Sequence, residues 1–132
     1  MAKQEIFSVR TSSRIDFIKI DSQIQKIVSE SGIKEGICCI YIPHTTAAVT
    51  INEGADPSVV QDIEMELNKV IPFHDNYSHL EGNSAAHIKS SIIGASETII
   101  IAGGRLKLGT WQSIFFCEFD GPRNRSVWVK IL

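Results

Sequence analysis

The chain has 132 residues, 43% of them hydrophobic, enough for one domain over 1–132 with a core of its own. Thirteen Lys and Arg against fifteen Asp and Glu leave a formal charge of -2, so no global basic field points to nucleic acid or an anionic membrane. The opening MAKQEIFSVR lacks the apolar centre of a signal peptide and no run approaches the ~18 apolar residues of a membrane span, so the expected location is the cytoplasm.

Residues 3–9 read as a first strand, and RIDFIKI, around Ile15 to Ile20, alternates apolar and polar like a second. Asp21 or Ser22 is placed to cap a helix with Ile24, Ile27 and Val28 on one face and Gly32 as its stop. Gly36 opens a buried-type strand, Ile37 to Pro43. Its neighbours Cys38 and Cys39 face opposite ways and, with Cys117, read as free thiols. Ala47 to Asn52 reads as another strand. Asp56-Pro57 is a strong helix start, followed by the stripe Val59, Val60, Ile63, Leu67 and Val70 and a stop at Pro72.

A polar loop over 73–83 leads to a short helix, capped by Asn83 and closed by Gly94, whose apolar stripe is read as Ala85, Ile88 and Ile92. Glu97 to Ala102 is a strand and Gly103-Gly104 a turn. Gln112 to Phe119 then reads as a strand joined to Ser126–Leu132 by a hairpin connection across DGPRNR. Six or seven strands and three helices with several antiparallel joins predict an α+β fold.

The chemistry-bearing residues concentrate in a few stretches. His44 opens HTTAAVTINEGADP, where a core strand ends. His87 lies off the apolar stripe, on a face with Ser84 and Ser91, near a helix start whose free N–H groups favour an anion. His79, eight residues earlier, is spaced so that both imidazoles can meet one zinc-like ion, although the spacing matches no standard signature. Asp62 borders its helix stripe, where a carboxylate can orient a base or a metal once something covers it. Gln112, Ile114, Phe116 and Glu118 share one strand face, which reads as a pocket with an apolar floor and polar edges. Arg123 and Arg125 can clamp phosphate oxygens.

HTTAAVTINEGADPSVVQDIE, NYSHLEGN with HIKSSIIG, and GRLKLGTWQSI with a following glutamate and DGPRNR together resemble the YjbQ-like family of secondary thiamine-phosphate synthases, from about Phe7 to Ile131. The resemblance implies a compact sandwich of mixed, largely antiparallel sheet with about three helices, assembled as a homotrimer with a polar cleft near a subunit boundary. The matching polar positions are His44, Thr45, Asn52, Glu53, Asp56 and Asp62, then His79, Glu81, His87, Thr110, Gln112, Glu118 and Arg125.

The same resemblance implies an enzyme acting on a phosphorylated small molecule, joining hydroxymethylpyrimidine diphosphate to a thiazole phosphate with release of pyrophosphate. Its expected catalytic residues are His44, Asp62 and Glu118. Thr45, Asn52, Thr110, Gln112, Arg123 and Arg125 are expected to bind substrate or phosphate, and His44, His79 and His87 a divalent metal ion, Zn or Mg. Such groups would stabilise the departing anion. Two other readings stand beside it: a non-catalytic metal- or metabolite-binding trimer, and a metal-assisted phosphoester hydrolase.

Overall fold

The computed structural model describes residues 3–132. In chain order the elements are β1 (Lys3–Arg10), β2 (Asp16–Lys19), α1 (Asp21–Ser31), β3 (Gly36–Tyr41), β4 (Ala47–Glu53) and α2 (Pro57–Val70). After these come α3 (Ser84–Ile93), β5 (Ser96–Ala102), β6 (Arg105–Leu106), β7 (Gln112–Glu118) and β8 (Asn124–Ile131). They form two sheets, β1-β8-β3-β5-β6 and β2-β7-β4, in which every described pair is antiparallel. The fold is α+β, as the element pattern predicts.

Strand alternation explains the layers. Val127, Val129 and Ile131 of β8, Cys38 and Ile40 of β3, and Ile99 and Ile101 of β5 point from the larger sheet into the core. There they meet Ala47, Val49, Ile114 and Phe116 of the smaller one. Helix α1 closes this core with Ile24 and Val28, both fully buried. On the other face of the smaller sheet Ala48, Phe115, Cys117 and Phe119 form a second cluster with Val60 and Leu67 of α2 and Ala86 and Ile93 of α3. The outer face of the larger sheet is uncovered and carries Ile6, Ile37, Tyr41, Ile100 and Trp128.

Several local expectations hold for the stated reasons. Gly32 ends α1 in the left-handed region, and Gly103 and Gly104 both take positive φ in the turn between β5 and β6. The Asp56 side chain caps α2 by accepting from the Ser58 N–H at 2.9 Å. Cys38 and Cys117 are buried free thiols, and desolvation lifts the Cys38 pKa to about 12.

Others are corrected. Asp21 does not cap α1; its carboxylate accepts the Ile114 N–H at 2.8 Å, tying α1 to β7. Likewise Asn83 makes no side-chain cap, and its amide donates to Asp120 at 2.9 Å. The buried face of α3 is Ala85, Ala86, Lys89 and Ser90, whereas Ile88 and Ile92 are exposed. Small residues win because they let the helix approach β4 closely enough for the Ser90 hydroxyl to donate to the Ala47 carbonyl at 2.6 Å. Finally, β7 and β8 are not a hairpin. They belong to different sheets, and residues 119–123 carry the chain from one to the other.

Candidate functional site

The site begins with a strand that stops. β3 pairs with β8 as far as Tyr41 opposite Trp128, and continuing that register sets Pro43 opposite Ser126. The chain turns away there and the ladder ends, so the Ser126 N–H loses its ladder acceptor. The His44 imidazole supplies one: Ser126 N–H donates to Nε2 at 2.9 Å. A ring nitrogen that accepts a hydrogen bond carries no proton, so His44 is neutral with its proton on Nδ1. Burial lowers its pKa, and the nearby charge of Arg125 lowers it further.

Arg125 enters where the chain crosses between sheets. Glu118 ends β7 and Arg125 lies at the start of β8, both facing the core, so their ion pair ties the two sheets at one end. Glu118 is fully buried and its carboxylate saturated. It accepts from Arg125 Nε and Thr11 Oγ1, each at 2.8 Å, from the Asp120 N–H at 3.0 Å and from Arg125 Nη2. Burial alone would raise its pKa, but the hydrogen bonds from Arg125, Asp120 and Thr11 outweigh it and hold the carboxyl below its ordinary value. Gly121 makes room for this lattice, since a Cβ there would meet the Ser13 carbonyl at 2.4 Å and Glu118 Cγ at 2.8 Å.

Arg125 Nη2 also donates to Thr46 Oγ1 at 2.8 Å. Its Nη1 has no partner among the described residues, yet it is not sealed from solvent. Arg123 is held in the same manner, with Nε on the Asp120 carbonyl and Nη2 on the Asp120 carboxylate, each at 2.8 Å. Both arginines, with His44, Thr45 and Thr46, line a hollow of about 620 Å³, completed by Tyr41, Ile42, Pro43, Ala95 and Trp128. That volume lies within the usual range for small-molecule sites. Each guanidinium is fixed by one carboxylate, so the hollow offers directed donors, with little net charge.

The expected site residues divide among three places. His44, Thr45, Arg123 and Arg125 meet in the hollow, with Glu118 behind them as the group that positions Arg125. Asn52, Thr110 and Gln112 lie exposed toward the opposite end of the smaller sheet, roughly 20 Å away at ~3.4 Å per residue along β4. There Gln112 accepts the Gly109 N–H at 2.8 Å and Asn52 accepts the Glu53 N–H at 2.7 Å. Asp62 is exposed on α2 and lines neither the hollow nor the histidine cleft. The strand-face pocket between Gln112 and Glu118 is not formed, because Ile114 and Phe116 between them are core.

His79 and His87 do converge, with ring centroids 5.3 Å apart, in a cleft shared with Tyr77 and Ile88. His44 is not with them, and its one lone pair is taken by Ser126. Among the described residues no group of three or more His, Cys, Asp or Glu is placed to hold a metal ion. A single chain thus offers two imidazoles where protein zinc sites use three or four ligands. The two places are nonetheless adjacent, because Asp120 accepts from both Arg123 and Asn83, the residue before α3.

Tyr41, Thr46 and Trp128 are not legible in the sequence as site residues. Tyr41 and Trp128 carry a signal, since each is an aromatic on the outward phase of its strand, but only the register shows that they are partners.

Fold and hollow together define a small antiparallel α+β sandwich with an arginine-lined, small-molecule-sized cavity at one end of its sheets. No helix among the described residues is long and apolar enough to cross a membrane. The chain belongs to the YjbQ-like family: the family model described as UPF0047 protein YjbQ-like matches residues 5–132. It is 55% identical over 126 residues to UPF0047 protein MJ1081 of Methanocaldococcus jannaschii, covering 96% of this chain and 91% of that one. With UPF0047 protein YugU of Bacillus subtilis the identity is 48%, over 94% and 95% of the two chains. The crystal structure of an uncharacterised YjbQ/UPF0047-family protein from Clostridium acetobutylicum superposes with a TM-score of 0.96 at 53% identity, covering 97% of this chain and 99% of that one.

Proposed function

We propose that the hollow binds a phosphorylated small molecule and that the protein is an enzyme acting on it, with thiamine-phosphate synthesis the first reaction to assay. The observation that carries this reading is that Arg123 and Arg125, each with an Nη1 unpartnered among the described residues, line one cavity with Thr45 and the neutral His44. Guanidinium and hydroxyl donors fixed in advance suit the oxygens of a phosphoryl group.

In the named reaction the bond from the pyrimidine methylene to the diphosphate oxygen breaks, and pyrophosphate leaves with the electron pair. The thiazole nitrogen then forms the new C–N bond. The charge that develops on the leaving oxygens is what Arg125, Arg123 and the His44 Nδ1–H would stabilise. Glu118 takes no proton in this scheme; it orients Arg125.

We also propose assembly as a homotrimer. The uncovered apolar face of the larger sheet, with Ile6, Ile37 and Ile100, supports it. Light scattering measures the assembly, and a monomer at micromolar concentration would remove that part of the proposal.

A single-turnover assay with the pyrimidine diphosphate and thiazole phosphate tests the activity. Pyrophosphate release that falls at least a hundredfold in Arg125→Met supports the reading. Binding of phosphate esters without turnover would make the protein a metabolite-binding trimer, and chelator-sensitive release of phosphate from esters would make it a hydrolase.

A further inference from the structure

Phosphate is far smaller than the hollow. Besides the arginines, His44 and the threonines, its lining is Ile42, Pro43, Ala95, Tyr41 and Trp128. Tyr41 and Trp128 are cross-strand partners, with ring centroids 5.8 Å apart and planes inclined by 34°, and they are 46% and 42% exposed. A cross-strand aromatic pair by itself stabilises a sheet. Here the pair also lines the hollow that holds Arg123 and Arg125, and neither ring is buried within the chain, which leaves aromatic surface to take a further contact.

We propose that Trp128, supported by Tyr41, is the specificity-determining surface of the hollow, stacking the planar organic part of a ligand whose anionic group is held by Arg123, Arg125 and His44. The inference rests on the anion-binding reading above and adds to it the residue that chooses among phosphate esters. The charged end captures any accessible phosphoryl group. The aromatic end separates planar from aliphatic esters, because a π face gains dispersion and quadrupole contacts from a stacked ring that a flexible chain does not match.

The probes are orthophosphate, glycerol 3-phosphate and phenyl phosphate. Trp111 is 65% exposed and lies outside the hollow, so Trp111→Phe leaves Trp128 as the sole indole reporter. In that background phenyl phosphate is expected to quench Trp128 fluorescence and to bind about tenfold more tightly than glycerol 3-phosphate, which corresponds to ~1.4 kcal/mol. By calorimetry Trp128→Leu should bring the ratio of the two esters close to one, and Trp128→Phe should keep most of it. Circular dichroism confirms that each variant is folded.

Orthophosphate and glycerol 3-phosphate binding as tightly as phenyl phosphate in the parent protein would overturn the stacking role and leave the anion site standing. No binding of any of the three would overturn both. An unchanged ester ratio in Trp128→Leu would assign the preference elsewhere and remove Trp128 from the role.

Discussion

Glu118→Ala tests the idea that one buried carboxylate organises the site. The substitution removes four hydrogen bonds and leaves Arg125, 5% exposed, as a buried cation without its counter-charge. All four bonds end on an ionised carboxylate, the kind worth ~1.5–3 kcal/mol each, and because they are lost together they do not add, so the cost is set by the upper part of the ~3–5 kcal/mol range for breaking a buried pair. For a domain of this size that is a fall in Tm of roughly 15 °C. Urea unfolding followed by circular dichroism at one fixed protein concentration measures it.

Glu118→Leu combined with Arg125→Met should recover much of the loss, because an apolar pair of similar volume avoids the desolvation that two buried charges suffer. The double variant should no longer bind orthophosphate. The pH dependence has a defined sign. The folded-state pKa of Glu118 is held down, so its contribution is present above the ordinary value of 4.5 and is lost as pH falls through the folded-state value. The stability gap between parent and Glu118→Ala should therefore narrow as pH falls from 4.5 through the folded-state value. A cost under ~1 kcal/mol for Glu118→Ala, or a double variant no more stable than the single, would refute the reasoning.

Three further outcomes are expected. The imidazole resonances of His44 should titrate below the ordinary 6.5; since its folded-state pKa is lowered, its contribution to stability is full above pH 6.5 and declines as pH falls through the folded-state value, and a midpoint above 6.5 would contradict the burial of the ring beside Arg125. Gly121→Ala should cost ~1–3 kcal/mol in urea unfolding and weaken phosphate binding, because the new methyl is driven against the Ser13 carbonyl and Glu118. Zinc titration followed through the His79 and His87 resonances should show weak binding that His87→Ala removes, whereas tight stoichiometric binding would show that a second copy supplies the missing ligand.

The parts of the fold legible in the sequence are those decided within a few residues. Asp56-Pro57, Gly32 and the Gly103-Gly104 turn each impose their geometry on their own backbone, so no distant partner can overrule them. The α3 stripe shows where that logic ends. Isoleucine outranks alanine in any tally of apolar residues, but the sheet below admits only a close helix, and close approach selects Ala85, Ala86 and Ser90. The join between β7 and β8 fails for a similar reason. Turn residues in DGPRNR signal that the chain turns, not which sheet it enters next, and the partnership of Glu118 with Arg125 depends on that choice. Of the expected site, His44 and the two arginines are reachable because they flank strand ends. Asn52, Thr110 and Gln112 flank strand ends too, at the far end of the same sheet, and strand periodicity cannot tell one end from the other.

A buried ion pair is an expensive way to join two sheets, and an apolar pair would do as well for stability alone. What the apolar pair cannot do is aim a donor. With Nε and Nη2 committed to Glu118 and Thr46, the guanidinium plane of Arg125 is fixed and its remaining Nη1 is directed without a flexible side chain having to be ordered on binding. The same carboxylate cancels most of the long-range charge, and Asp120 does so for Arg123. The hollow should then hold an anion by short directed contacts more than by its field, so its affinity should depend only weakly on ionic strength, unlike that of an unpaired cationic patch. Such an arrangement discriminates by shape at contact distance, the range at which the aromatic wall of the same hollow also acts.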